Sequence, residues 1–88
     1  MNVKITDDML SGVYANAMRI SHTKEEFLLD FMNLFPPQGI VTARVVISPG
    51  HLRRILDALN VNLKNYEEKF KTKIEAIEEP KPDVGFTP

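Results

Sequence analysis

Thr23-Lys24-Glu25-Glu26-Phe27-Leu28-Leu29-Asp30-Phe31-Met32-Asn33-Leu34-Phe35 decides the fold, because it carries two incompatible periodicities. Thr23 followed by Glu26 fits the capping box that opens a helix, and Phe27, Phe31 and Leu34 recur at helical spacing. Phe27, Leu29 and Phe31 also alternate with their neighbours, as a strand requires. The flanks settle the choice. Upstream, residues 13–22 read as a strand, with Tyr14, Met18 and Ile20 on one parity and Val13, Ala15, Ala17 and Arg19 on the other. Downstream, Pro36-Pro37-Gln38-Gly39 is a turn by composition. Residues 40–47 then hold Val41, Val45, Val46 and Ile47, a β-branched density that favours a pleated strand. Two strands on either side need a partner between them, so residues 27–34 are expected to be extended.

Beyond the third strand, Ser48-Pro49 starts a helix with a hydroxyl N-cap and proline at the first helical position. Leu52, Ile55, Leu56, Leu59, Leu63, Tyr66 and Phe70 follow at three- and four-residue steps. Arg53, Arg54, Asp57, Lys64, Glu67 and Glu68 occupy the other face, and Lys69, Lys71 and Lys73 sit near the carboxyl end, where cations complement the dipole. The expected fold is therefore α+β: an antiparallel meander of three strands, then one long amphipathic helix packed on one sheet face. Residues 1–11 offer an arm or a short fourth strand around Val3 and Ile5, residues 12–74 one domain, and residues 75–88 a disordered acidic, proline-rich tail.

Tight connections constrain the register. Leu34 is expected opposite Ile40, Asp30 opposite Arg44, Phe31 opposite Ala43 and Leu29 opposite Val45. On the other side, His22 should face Phe27, Met18 should face Phe31, and Arg19 should face Asp30. One face then reads Met18, Ile20, Phe27, Leu29, Phe31, Ala43, Val45 and Ile47, the natural seat of the helix. The other reads Ala15, Ala17, Leu28, Met32, Leu34, Ile40 and Val46, crossed by the row Arg19–Asp30–Arg44. A sheet wetted on one side alternates apolar and polar residues more plainly than this. One helix cannot cover two faces, so a second copy of the chain is expected against Arg19, Leu28, Asp30, Met32, Leu34, Ile40, Arg44 and Val46. The charged row itself reads as cross-strand ion pairing, or as a specificity element within that interface, or as an anion site that lacks supporting neighbours.

Composition narrows the function. An 88-residue chain has a thin margin between burial and chain entropy, which small domains usually widen with disulfides, metals or self-association. There is no cysteine, and two histidines, His22 and His51, are a poor basis for a zinc site. No cofactor, phosphate-loop or catalytic signature emerges: Gly12, Gly39, Gly50 and Gly85 are scattered, and Ser21, His22 and Asp30 lack the elbow that a triad needs. Ser48-Pro49-Gly50-His51, with Arg53 and Arg54 behind it, reads as a plain cap or, more sharply, an anion site. A net charge of −1 argues against an electrostatic nucleic-acid binder, and the apolar runs are too short for a bilayer. Met1-Asn2-Val3-Lys4-Ile5-Thr6-Asp7-Asp8 lacks the apolar centre of a secretion signal, so a cytoplasmic location is expected.

Several segments occur together in a familiar order: Tyr14-Ala15-Asn16, Ser21-His22-Thr23, Glu26-Phe27-Leu28-Leu29-Asp30-Phe31, Ala43-Arg44-Val45-Val46-Ile47-Ser48-Pro49, and Leu59 with Asn65-Tyr66-Glu67-Glu68-Lys69-Phe70. Over residues 12–74 the chain resembles the prokaryotic family known as domain of unknown function 3467. It departs from that pattern at Asn33 and Lys71, where small residues or glycine are usual. The resemblance implies no established activity. In architecture alone, a sheet followed by a long helix is similar to the SecB-type export chaperones. Together these readings lead to a non-enzymatic protein-interaction module acting as a homodimer. A SecB-like holdase for unfolded polypeptides, using Met18 and Met32, is the first alternative. A weak nucleic-acid binder using Arg19, Arg44, Arg53 and Arg54 is the second.

Overall fold

The computed structural model describes residues 1–76. Three strands form one antiparallel sheet in the order β1-β2-β3: β1 is Ala17–His22, β2 is Phe27–Phe35 and β3 is Gln38–Ile47. The helix α1, Pro49–Phe70, follows directly. The α+β meander is as the sequence implies, and residues 27–34 are extended. Residues 1–6 form no strand and Asp7–Met9 is a single 3₁₀ turn, so among the described residues the sheet has no fourth strand. Most of the acidic tail expected over residues 75–88 lies outside the described residues.

The two hairpins close in different ways. Between β1 and β2, the Thr23 hydroxyl accepts from the backbone N–H groups of Glu25 at 3.2 Å and Glu26 at 3.3 Å, while the Thr23 N–H donates to the Glu26 carbonyl at 2.9 Å. The threonine that resembles a helix cap thus serves a turn, because the same hydroxyl-to-amide bonding suits both. Between β2 and β3, only Pro36 and Pro37 form the loop, with a cis peptide between them, and Phe35 pairs with Gln38.

That tighter turn changes the register near the tip. Leu34 faces Gly39, not Ile40, and Asn33 faces Ile40. A bulge restores the expected register further along: Phe31 faces Ala43 while Met32 faces Val41, so Thr42 is the extra residue, and its hydroxyl donates to the Phe31 carbonyl at 3.1 Å. From there Asp30 faces Arg44, Leu29 faces Val45 and Leu28 faces Val46, as expected. On the other side Met18–Phe31, Arg19–Asp30 and His22–Phe27 pair as the sequence implies.

Asn16 lengthens β1 without a strand. Its N–H donates to the Met32 carbonyl at 2.9 Å; its side-chain oxygen accepts from the Leu34 N–H at 2.9 Å, and its amide nitrogen donates to the Leu34 carbonyl at 3.0 Å. One side chain therefore stands in for the next peptide of the ladder. Beside it Ala17, Met32 and Leu34 form the buried cluster. Among the described residues, only Leu29 and Ile47 join these three as fully buried apolar side chains.

The helix does not lie along the sheet as expected. Its N-cap is the expected one: the Ser48 hydroxyl accepts from the His51 N–H at 3.2 Å, with Pro49 in the first turn. Leu52 and Ile55 are half-buried, but Leu56, Leu59, Leu63, Tyr66 and Phe70 are all exposed, and none of its residues is fully buried. Burial of the helix's apolar side chains stops after the first two turns. The helix ends at Lys71, in the left-handed conformation with φ 49° and ψ 47°, where the Thr72 N–H donates to the Glu67 carbonyl at 3.1 Å.

Two substitutions check this local chemistry. Lys71→Gly relieves the left-handed strain of a non-glycine residue and should raise stability by about 1 kcal/mol. Asn16→Ala leaves the Leu34 N–H and carbonyl without their partner and should cost roughly 1–3 kcal/mol. Urea unfolding of each variant beside the parent gives both signs.

Candidate interface

The register gathers seven of the eight expected interface residues onto one side of the sheet. Arg19, Asp30 and Arg44 stand abreast across the three strands, flanked by Leu28 with Val46 on one side and by Met32 and Leu34 towards the tip. Ile40 is not with them. The two-residue turn pairs it with Asn33, which places it on the opposite side until the bulge at Thr42 corrects the phase. In its stead Val41, facing Met32, joins the group.

Asp30 is the centre of this surface and, at 1 % exposed, its most enclosed polar residue. Arg44 grips it with a fork: Nε donates to Oδ1 at 2.6 Å and Nη2 to Oδ2 at 3.0 Å. Two parallel charge-assisted bonds of this kind fix geometry as well as charge. The hydrogen bond from Arg44 holds the Asp30 carboxyl below its ordinary value of 3.8, opposed by burial and aided by the positive charges of Arg44 and Arg19. Contact with water is denied to Asp30 by its cross-strand neighbours, yet the sheet is one layer thick, so solvent is close. Arg44 itself is about half exposed, with 53 % of its side chain open. The row thus leaves guanidinium surface facing outward around a shielded carboxylate.

The apolar members divide. Met32 and Leu34 are buried within the protomer at 5 % and 8 %, Leu28 is half-buried, and Val46 is 51 % exposed. On the reverse side Met18, Ile20 and Val45 are open, and at the tip a hollow of about 530 Å³ is lined by Asn33, Phe35, Pro37, Gln38, Gly39 and Ile40. The Asn33 side-chain oxygen is buried there without a hydrogen-bond partner. Sequence reading missed this hollow, since it depends on the bulge that moves Ile40; the departure from family pattern at Asn33 was the available signal.

The remaining candidates take ordinary positions. His22 packs its ring against Phe27, 5.2 Å between centroids. At the helix start, Arg54 lies 3.4 Å from the His51 ring nitrogen and Arg53 pairs with Asp57 at 3.7 Å, so Ser48–Arg54 has the bonding of a cap. Among the described residues no three histidine or acidic side chains are grouped to hold a metal ion, and no helix is long and apolar enough to cross a membrane.

The pH dependence of stability reports on Asp30. A carboxyl whose folded pKa lies below its unfolded one contributes stability that is complete above the unfolded value and lost as pH falls through the folded value. Asp30→Asn should therefore be less stable than the parent at neutral pH. The gap should close as the pH falls below 3.8 and through the lower folded value. Urea midpoints across that range test it; a gap that stays constant with pH would contradict the ion-pair account.

Compared with known proteins, residues 1–76 match the family described as a protein of unknown function (DUF3467). No curated protein and no solved structure matches the chain.

Proposed function

The chain belongs to the DUF3467 family, and from that premise we propose that it is a non-enzymatic protein-interaction module that acts as a homodimer. One observation carries this reading: the protomer leaves uncovered the surface that should be its core. Five apolar side chains are buried, while Met18, Ile20, Val45 and Val46 on the sheet and Leu56, Leu59, Leu63, Tyr66 and Phe70 on the helix are each at least 40 % exposed.

The magnitudes support self-association. A stable two-protein interface buries roughly 1,200–2,000 Å² in all. Covering a half-exposed leucine or phenylalanine is worth about 1 kcal/mol. Val46 on the face that carries the charged row and the five helix side chains would together supply a driving force comparable to the usual stability of a small domain.

In this reading the face bearing Leu28, Val46 and the Arg19–Asp30–Arg44 row meets its counterpart on a second copy. The outward guanidinium surface of Arg44 then acts mainly in partner choice, since a charge left unpaired there is costly. Any function in the cell is exercised by the assembled pair through whatever surface assembly leaves open. Sedimentation equilibrium of the full chain at micromolar concentration should give twice the chain mass. A folded, monomeric species at those concentrations would overturn the proposal.

A further inference from the structure

The apolar stripe of α1 changes width along its length, and the change coincides with the point where the sheet stops covering it. In the first turns Leu52, Ile55 and Leu56 spread across a broad arc, and Leu52 and Ile55 are half-buried. A helix that seats on a globular core needs such breadth. From Leu56 onward the stripe narrows to Leu56, Leu59, Leu63, Tyr66 and Phe70, separated by three, four, three and four residues. Asn60, Asn62, Glu67 and Lys69 flank it on both sides, and no apolar residue occupies those flanks. Strict alternation of three and four, with polar shoulders, is the seam of one helix wound on another. Its period of 3.5 residues keeps the seam facing a partner helix as the two supercoil.

All five seam residues are exposed in the protomer, from 43 % at Leu63 to 60 % at Leu59. The Tyr66 and Phe70 rings already lie 4.9 Å apart on that line. The chain has no second helix of comparable length among its described residues. We infer that the seam of α1 pairs with the same seam on α1 of a second copy. This rests on the homodimer reading and adds the helices to the surfaces that join the copies. The geometry suits the division of labour, since two heptads alone are short for a stable coiled coil and the sheets supply the remaining area.

The absence of cysteine makes a direct test clean. Single cysteines are placed on the seam, as Leu59→Cys, Leu63→Cys and Tyr66→Cys, and on the outer face, as Val61→Cys and Glu68→Cys, in the full chain. Each is checked for helix content by circular dichroism and for mass by sedimentation, then oxidised mildly and resolved without reductant. Seam variants, singly or in mixtures of two, should cross-link at least ten-fold faster than outer-face variants, because only facing seam positions bring Cα atoms within disulfide range. Parallel helices link each seam cysteine to its own counterpart; antiparallel helices link only mixtures of two seam variants. Either pattern supports the pairing. A dimer by sedimentation whose seam cysteines, alone and in every mixture of two seam variants, link no faster than Val61→Cys or Glu68→Cys overturns the helix pairing and leaves the sheet-mediated dimer standing. A monomer by sedimentation overturns both.

Discussion

A helix of 22 residues that keeps its apolar side uncovered for its last four turns is the constraint on which everything else here depends. Ordering each backbone residue costs about 1–2 kcal/mol, and a helix in a protein recovers this mainly through packing rather than through propensity. Leu52 and Ile55, half-buried, recover part of it. Leu56 through Phe70, exposed, recover little within the chain. The sheet has the same difficulty on a smaller scale: three strands can bury a central strand such as β2, but β1 and β3 are both edges, with Met18, Ile20, Val45 and Val46 open.

Against that background the polar details gain meaning as devices that hold the chain in one shape although much of its apolar surface is open. Asn16 extends the ladder by one peptide's worth of bonding, and Thr23 and Thr42 tie a turn and a bulge. Asp30, clasped by Arg44, fixes the register of β2 on β3, because a slip of one residue would carry the carboxylate to the other face and separate it from its fork. These contacts are individually modest. Their value lies in specificity, since a small sheet with apolar residues on both sides has few other means of rejecting alternative pairings.

Much of this was legible in the sequence, and the misses have physical causes. Asp30, Arg44 and Arg19 fell into place because strand parity admits only two answers and flanking apolar residues choose between them. The helix start followed from Ser48-Pro49, which has one good use. The tip of the second hairpin did not follow, because Pro36-Pro37-Gln38-Gly39 looks like a four-residue turn, whereas the prolines alone complete it and the displaced residue reappears as the bulge at Thr42. No glycine marks the bulge at Thr42, and so strand parity alone puts Ile40 on the wrong side. The seat of the helix was misplaced for a different reason. Amphipathicity states that a face is covered, and only the width of the stripe hints at whether a sheet or a helix covers it.

The central claim, that protomers stabilise one another by covering open apolar surface, predicts coupling between folding and assembly. The most direct measurement is the thermal unfolding midpoint of the parent chain over a hundred-fold range of protein concentration. If assembly stabilises the fold, the midpoint climbs steadily with concentration, as mass action demands. A midpoint that stays fixed over the whole range would show that each chain is stable alone and would contradict the account.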